Sequence, residues 1–96
     1  MNLSPTCTRD VIVNLENGLH LTPSSQIVQV LQKFSCQLLI RKGDKVVDGK
    51  SMLDLLTLAA EKGELLRLEA SGTDAADAVA AVVRLFDEGF SANRSG

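Results

Sequence analysis

Two hydrophobic periods alternate along the chain, and the switches between them mark its elements. From Asp10 to Leu15, Val11, Val13 and Leu15 fall on one side and Ile12 and Asn14 on the other, the period-two pattern of a half-buried strand. Asn17-Gly18 interrupts it. After His20 the apolar positions become Ile27, Val30, Leu31 and Phe34, the i, i+3, i+4, i+7 spacing that predicts a helix over Leu21 to Lys33. Period two returns where Cys36, Leu38 and Ile40 alternate with Gln37, Leu39 and Arg41. A Lys42-Gly43-Asp44-Lys45 turn then leads into a short return strand at Val46-Val47. Met52, Leu53, Leu55, Leu56 and Leu58 are too dense for a one-faced strand and lack β-branching, so they predict a short helix capped by the Ser51 hydroxyl and closed by Lys62-Gly63. Leu66, Leu68 and Ala70 alternate with Leu65, Arg67 and Glu69 as a fourth strand. The segment from Ser71 to Asp74 is expected to cap a last helix with Ala75, Ala76, Val79, Val82, Val83 and Phe86 as its stripe. Gly89 fits a left-handed helix stop in which Phe90 folds back towards Leu85.

The order β-α-β-β-α-β-α buries its apolar faces most simply as two layers, a largely antiparallel sheet with helices on one side, so the fold class is α+β. Its boundaries are a loose polar leader at residues 1–8, a domain at residues 9–90 and a polar tail at residues 91–96. At 96 residues the chain has room for one core and not for two domains.

Composition narrows the function classes. Ten Lys and Arg against twelve Asp and Glu give a net charge of −2, with three Phe and no Trp or Tyr, which lacks the basic footprint and stacking aromatics of a nucleic-acid binder. The longest apolar run, Ala78 to Val83, is far short of the roughly 20 residues that span a bilayer. The N-terminal residues have neither the basic nor the apolar region of a secretory signal, so a cytoplasmic protein is expected. Cys7 and Cys36 are too few for a disulfide framework, and with one His they leave a zinc site short of ligands; no metal and no cofactor are expected. Cys36 alternates with core positions and reads as a buried thiol. Asp44 and Asp48 read as solvated turn carboxylates, and Glu61, Glu64 and Glu69 as solvent-facing charges.

His20 is the one side chain of its chemical type, and its position is informative. It lies between a Gly-containing turn and the first turn of an amphipathic helix, where unpaired N–H groups and the positive end of the helix dipole converge. That end disfavours a protonated ring and favours a neutral, nucleophilic imidazole. A phosphoryl group on the ring would meet the N–H groups of Leu21 and Thr22. Pro23 costs nothing there because a first-turn N–H has no partner to lose. Thr22, Ser24 and Ser25 add hydroxyls near the same spot.

Asn17-Gly18-Leu19-His20-Leu21-Thr22-Pro23, followed by Gly49-Lys50-Ser51-Met52-Leu53-Asp54-Leu55-Leu56-Thr57-Leu58, resembles the HPr family, the histidine phosphocarriers of the phosphoenolpyruvate-dependent sugar phosphotransferase system. The resemblance runs from about Arg9 to Gly89 and implies an open-faced sandwich, a four-stranded antiparallel sheet with three helices on one face. It implies that His20 accepts a phosphoryl group on Nδ1 from Enzyme I and hands it to sugar-specific components, with no independent turnover. It implies that Ser51 matches a serine phosphorylated by a dedicated HPr kinase for catabolite control. Ser25, Met52, Leu53, Leu56 and Thr57 match a partner-docking face, while Leu55 and Leu58 are expected in the core. A monomer is expected.

The chain departs from the family pattern at three places. Thr22 stands where the family has an arginine that pairs with the phosphate, and a hydroxyl supplies one hydrogen bond and no charge. Gln29 and Gln32 stand where lysines are common, and Asp54 lies on the short helix, so electrostatic steering towards an acidic partner is expected to be weaker. These departures keep an alternative open: a regulatory HPr-like binding module, controlled by Ser51 phosphorylation and docking to a transcription regulator or an enzyme, with slow or absent transfer at His20.

Overall fold

The computed structural model describes residues 6–90. Four strands and three helices follow in the order β1 (Thr6–Ile12), α1 (Leu21–Leu31), β2 (Gln37–Lys42), β3 (Lys45–Asp48), α2 (Met52–Leu58), β4 (Leu65–Ser71) and α3 (Ala75–Asp87). The sheet order is β1-β4-β2-β3 and every pairing is antiparallel, so the first strand lies beside the last and the hairpin forms the other side.

Alternation decides which face is covered. Val11 on β1, Leu66, Leu68 and Ala70 on β4, Leu38 and Ile40 on β2, and Val47 on β3 are buried on one face. Against them pack Ile27 and Leu31 of α1, Leu55 and Leu58 of α2, and Ala75, Ala78, Val79, Val82 and Val83 of α3 in one continuous core. The opposite face stays open and carries two bidentate ion pairs. Arg67 donates to Asp10 at 2.8 and 3.2 Å, and Arg41 to Glu69 at 3.2 and 3.3 Å. Leu55 and Leu58 are fully buried, as their spacing predicts.

Several boundaries differ from the sequence expectations. β1 starts at Thr6, three residues inside the expected leader, because β4 offers backbone partners as far as Ser71: Thr6, Cys7 and Thr8 pair with Ser71, Ala70 and Glu69. It ends at Ile12 and not at Leu15. Val13 keeps two main-chain bonds beyond the ladder, donating to Glu64 O at 2.9 Å and accepting from Gly63 N–H at 2.7 Å. Helix α1 stops at Leu31, after which Lys33 and Phe34 tighten into i to i−3 bonds on Val30 and Leu31. The stop of α2 is not Lys62-Gly63 but Ala59, in the left-handed conformation at φ 51°. On α3 the buried positions are 75, 78, 79, 82 and 83, so Ala76 points to solvent and Ala78 takes its place in the stripe. Phe90 folds back as expected, donating to Leu85 O at 2.8 Å and meeting Phe86 edge to face at 4.9 Å. Residues 1–5 of the expected leader and the expected tail at 91–96 lie outside the described residues.

Asp74 holds the N-cap position of α3, but its side chain does not cap that helix. Its carboxylate accepts from Ser35 N–H at 2.8 Å and Cys36 N–H at 2.9 Å, tying the α1–β2 connection to the start of α3. The Ser35 N–H, foremost, holds the Asp74 carboxyl below the usual carboxylate range. Burial, and then the Asp74 carboxylate, push the Cys36 thiol up, which keeps it protonated and unreactive.

Candidate functional site

His20 is the N-cap residue of α1, with extended φ −85° and ψ −161°. Its side chain is exposed and makes no capping hydrogen bond, so the imidazole is not consumed by the helix it starts. Its own N–H donates to Gly18 O at 2.9 Å, and its carbonyl accepts from Ser24 N–H at 3.2 Å. Of the first-turn donors, Ser24 N–H is therefore used and Pro23 has none, which leaves Leu21 and Thr22 N–H with no partner among the described residues. No acidic side chain occupies that turn.

The loop that delivers His20 is fixed from below. Gly18 sits at φ +68°, and a Cβ built there would stand 2.3 Å from Ala60 O, so only glycine lets the chain pass this close. The next residue turns that proximity into a tie, Leu19 N–H donating to Ala60 O at 2.9 Å. Ser24, fully buried, donates from its hydroxyl to Leu19 O at 3.3 Å and fastens the same loop from the helix side. Ser25 donates to Thr22 O at 3.1 Å. Of the three hydroxyls noted from the sequence, two are thus spent on main-chain carbonyls, and Thr22 is the one exposed at the helix start with no partner among the described residues.

Ser51 caps α2 as expected, its Oγ accepting from Asp54 N–H at 3.2 Å. Asp54 accepts at its own carboxylate from Asp48 N–H at 3.1 Å, and Asp48 accepts from Lys50 N–H at 2.9 Å, so the entry to α2 is a chain of carboxylate-to-amide bonds. At the other end of α2, Lys42 donates to Ala59 O at 3.2 Å and Lys45 donates to Thr57 O, placing two cations where the helix dipole is negative. The His20 loop is tied to this C-terminal end through Ala60. Ser51 stands at the N-terminal end, about 10 Å away along the seven residues of α2.

The side chains matched to a docking face divide by exposure. Leu53 is 74% and Leu56 37% exposed, Thr57 is exposed with its hydroxyl on Asp54 O at 2.7 Å, and Ser25 and Met52 are half-buried. Leu21, not expected among them, is 61% exposed beside His20. Its signal was visible: it is apolar but lies outside the Ile27-Leu31 stripe. The capping lysines and the Asp74 tie had no comparable signal, because each joins residues far apart in sequence. Glu64 and Glu69 are not free charges either. Glu64 accepts from Glu61 N–H at 2.7 Å and pairs with Lys42 at 3.4 Å, and Glu69 holds Arg41.

A hollow of about 160 Å³ lies elsewhere, on the open sheet face, lined by Asp10, Arg41, Gly43, Leu65 and Arg67. Among the described residues no three His, Cys, Asp or Glu side chains gather as a metal site, and no helix is long and apolar enough to cross a membrane.

An open-faced sandwich with an exposed histidine at a helix N-terminus presents that imidazole on a surface and not inside a cleft. Comparisons with known proteins give the family. The family described as "PTS HPr component phosphorylation site" matches residues 7–88, and the chain belongs to the HPr family of phosphotransferase-system phosphocarriers. It is 38% identical over 86 residues to the phosphocarrier protein HPr of Pseudomonas putida, covering 84% of this chain and 96% of that one. It is 30% identical over 86 residues to the phosphocarrier protein NPr of Klebsiella oxytoca, covering 88% and 96%. Among solved structures, HPr-C-His from Thermoanaerobacter tengcongensis superposes with a TM-score of 0.84 at 31% identity, over 88% of this chain and 94% of that one.

Proposed function

We propose that His20 accepts a phosphoryl group from a phosphohistidine of Enzyme I and passes it to sugar-specific components of the phosphotransferase system, in the cytoplasm. A ring nitrogen of His20 attacks phosphorus, an N–P bond forms on His20 as the donor's N–P bond breaks, and the donor imidazole leaves. The second transfer reverses these roles with the acceptor, so the carrier ends each cycle unchanged and needs no cofactor. The observation that carries this reading is the unused His20 imidazole at the N-cap, beside the open Leu21 and Thr22 amides. Those amides stabilise the incoming dianion, and Thr22 adds one hydroxyl.

The test is incubation with phosphoenolpyruvate and Enzyme I of the same bacterium. An acid-labile, base-stable phosphoryl adduct is expected, absent from His20→Ala. No adduct would overturn the reading.

Thr22 favours keeping a second reading, since the turn that holds the phosphate brings no cation to it. In it the protein is a regulatory module: an HPr kinase phosphorylates Ser51 and a transcription regulator reads the result. Phosphate on the capping hydroxyl would set a dianion beside Asp54. An acid-stable adduct at Ser51, formed with ATP and that kinase and without any at His20, is the outcome that selects it.

A further inference from the structure

The open face of the sheet brings two guanidiniums together. Arg41 of β2 and Arg67 of β4 are directly opposite in the antiparallel register, so both side chains leave the same face side by side. Like charges so placed destabilise a sheet, and a carboxylate offsets each of them. Arg67 gives Nε and Nη2 to Asp10, its partner on β1, and Arg41 gives Nε and Nη2 to Glu69. A guanidinium carries more N–H groups than one carboxylate consumes, and Nη1 of both arginines has no partner among the described residues.

The hollow of about 160 Å³ lies against this pair, lined by both arginines, Asp10, Gly43 and Leu65. Gly43 brings no side chain into it. Leu65 is 54% exposed, its β1 partner Ile12 is 53% exposed, and Val46, opposite Arg41 on β3, is 39% exposed. Three of the six large apolar side chains exposed among the described residues therefore flank the two guanidiniums. The lining carries two positive charges and one negative, because Glu69 holds Arg41 from outside it.

We infer that this hollow is a binding site for a small organic acid, whose carboxylate is held by the unspent Nη1 groups of Arg41 and Arg67 and whose apolar body lies on Leu65 and Ile12. Charge sets the class. One carboxylate neutralises the lining, whereas a phosphate dianion would leave a negative charge in excess beside Asp10. Size sets the limit, since the hollow is smaller than the roughly 300 Å³ at which pockets begin to take drug-sized ligands. The fork geometry of the guanidiniums matches a carboxylate, and the apolar body covers leucine and isoleucine surface that water otherwise wets. The site lies on the sheet face that the helices leave open and uses neither His20 nor Ser51.

The probe is sodium benzoate, titrated into the full chain at constant ionic strength to about 100 mM, well above an expected Kd of about 10 mM, and followed by heteronuclear NMR. Saturable shifts are expected at the amides of Gly43 and Leu65 and at Nε of Arg41 and Arg67. Benzamide, of similar shape and without the charge, is expected to give none. Arg41→Gln is expected to weaken binding about fivefold or more. Asp10→Asn raises the net positive charge of the lining and is expected to tighten binding about twofold or more, a direction that loss of structure does not produce. Both side chains are 42% exposed, so the fold is kept in either variant. No saturable shift, equal shifts with benzamide, shifts centred on α1, full affinity in Arg41→Gln or no tightening in Asp10→Asn would each overturn the inference.

Discussion

At the scale of single residues, what matters most stands next to His20. Thr22 N–H and Leu21 N–H have no partner among the described residues and Thr22 brings no cation, so a phosphoryl group on His20, as proposed, would be held by dipoles alone. Thr22→Arg supplies a charge-assisted bond and is expected to speed transfer from Enzyme I several-fold, measured as kcat/KM; an unchanged rate would show that position 22 does not limit transfer. Gly18→Ala forces a left-handed alanine whose Cβ stands 2.3 Å from Ala60 O. It is expected to cost about 1–3 kcal/mol in denaturant unfolding and to displace the His20 loop. His20 itself was legible in the sequence because a helix N-terminus after a glycine turn has a recognisable signature. The support beneath it was not, because the Leu19 to Ala60 bond joins residues that no local pattern links.

Among elements, α2 shows most clearly what sequence periodicity transmits. Its existence, its Ser51 cap and its buried Leu55 and Leu58 followed from the leucine spacing. Its end did not. Glycine is the expected stop, yet Ala59 takes the left-handed conformation while Lys42 and Lys45 reach over from the β2–β3 hairpin to the last carbonyls. Ser51→Ala removes the acceptor for Asp54 N–H and is expected to lower unfolding free energy by about 1 kcal/mol. Leu55→Ala, which empties a fully buried site, is expected to cost about 2–5 kcal/mol in the same measurement. Equal effects of the two would contradict the division of α2 into a capped end and a core face. The start of β1 was hidden for a related reason: Thr6, Cys7 and Thr8 carry no apolar alternation, and only the length of β4 recruits them.

For the whole molecule, the sheet buries one face under three helices and leaves the other to ion pairs, an arrangement legible from the alternation of β2, β4 and the apolar part of β1. Asp74 adds a long-range tie between the α1–β2 connection and α3 that depends on its charge. Because its carboxyl titrates lower in the folded chain than in the unfolded one, the stability it contributes is present above the unfolded pKa, near 4, and is lost as pH falls through the folded value. Asp74→Asn is expected to lower Tm at pH 7, with the gap to the parent narrowing below about pH 4; a gap constant with pH would contradict a charge-dependent tie. The charge distribution completes the picture, with ion pairs gathered off the two helices that flank the histidine.

Heteronuclear NMR of the chain before and after phosphorylation with phosphoenolpyruvate and Enzyme I tests most directly whether a phosphoryl group resides on His20 and is held by the first turn of α1. The phosphorus resonance is expected to couple to a ring nitrogen of His20, and the amide protons of Leu21 and Thr22 to move downfield on modification. A phosphoryl group on another residue, or Leu21 and Thr22 amides unmoved by phosphorylation of His20, would contradict the proposal.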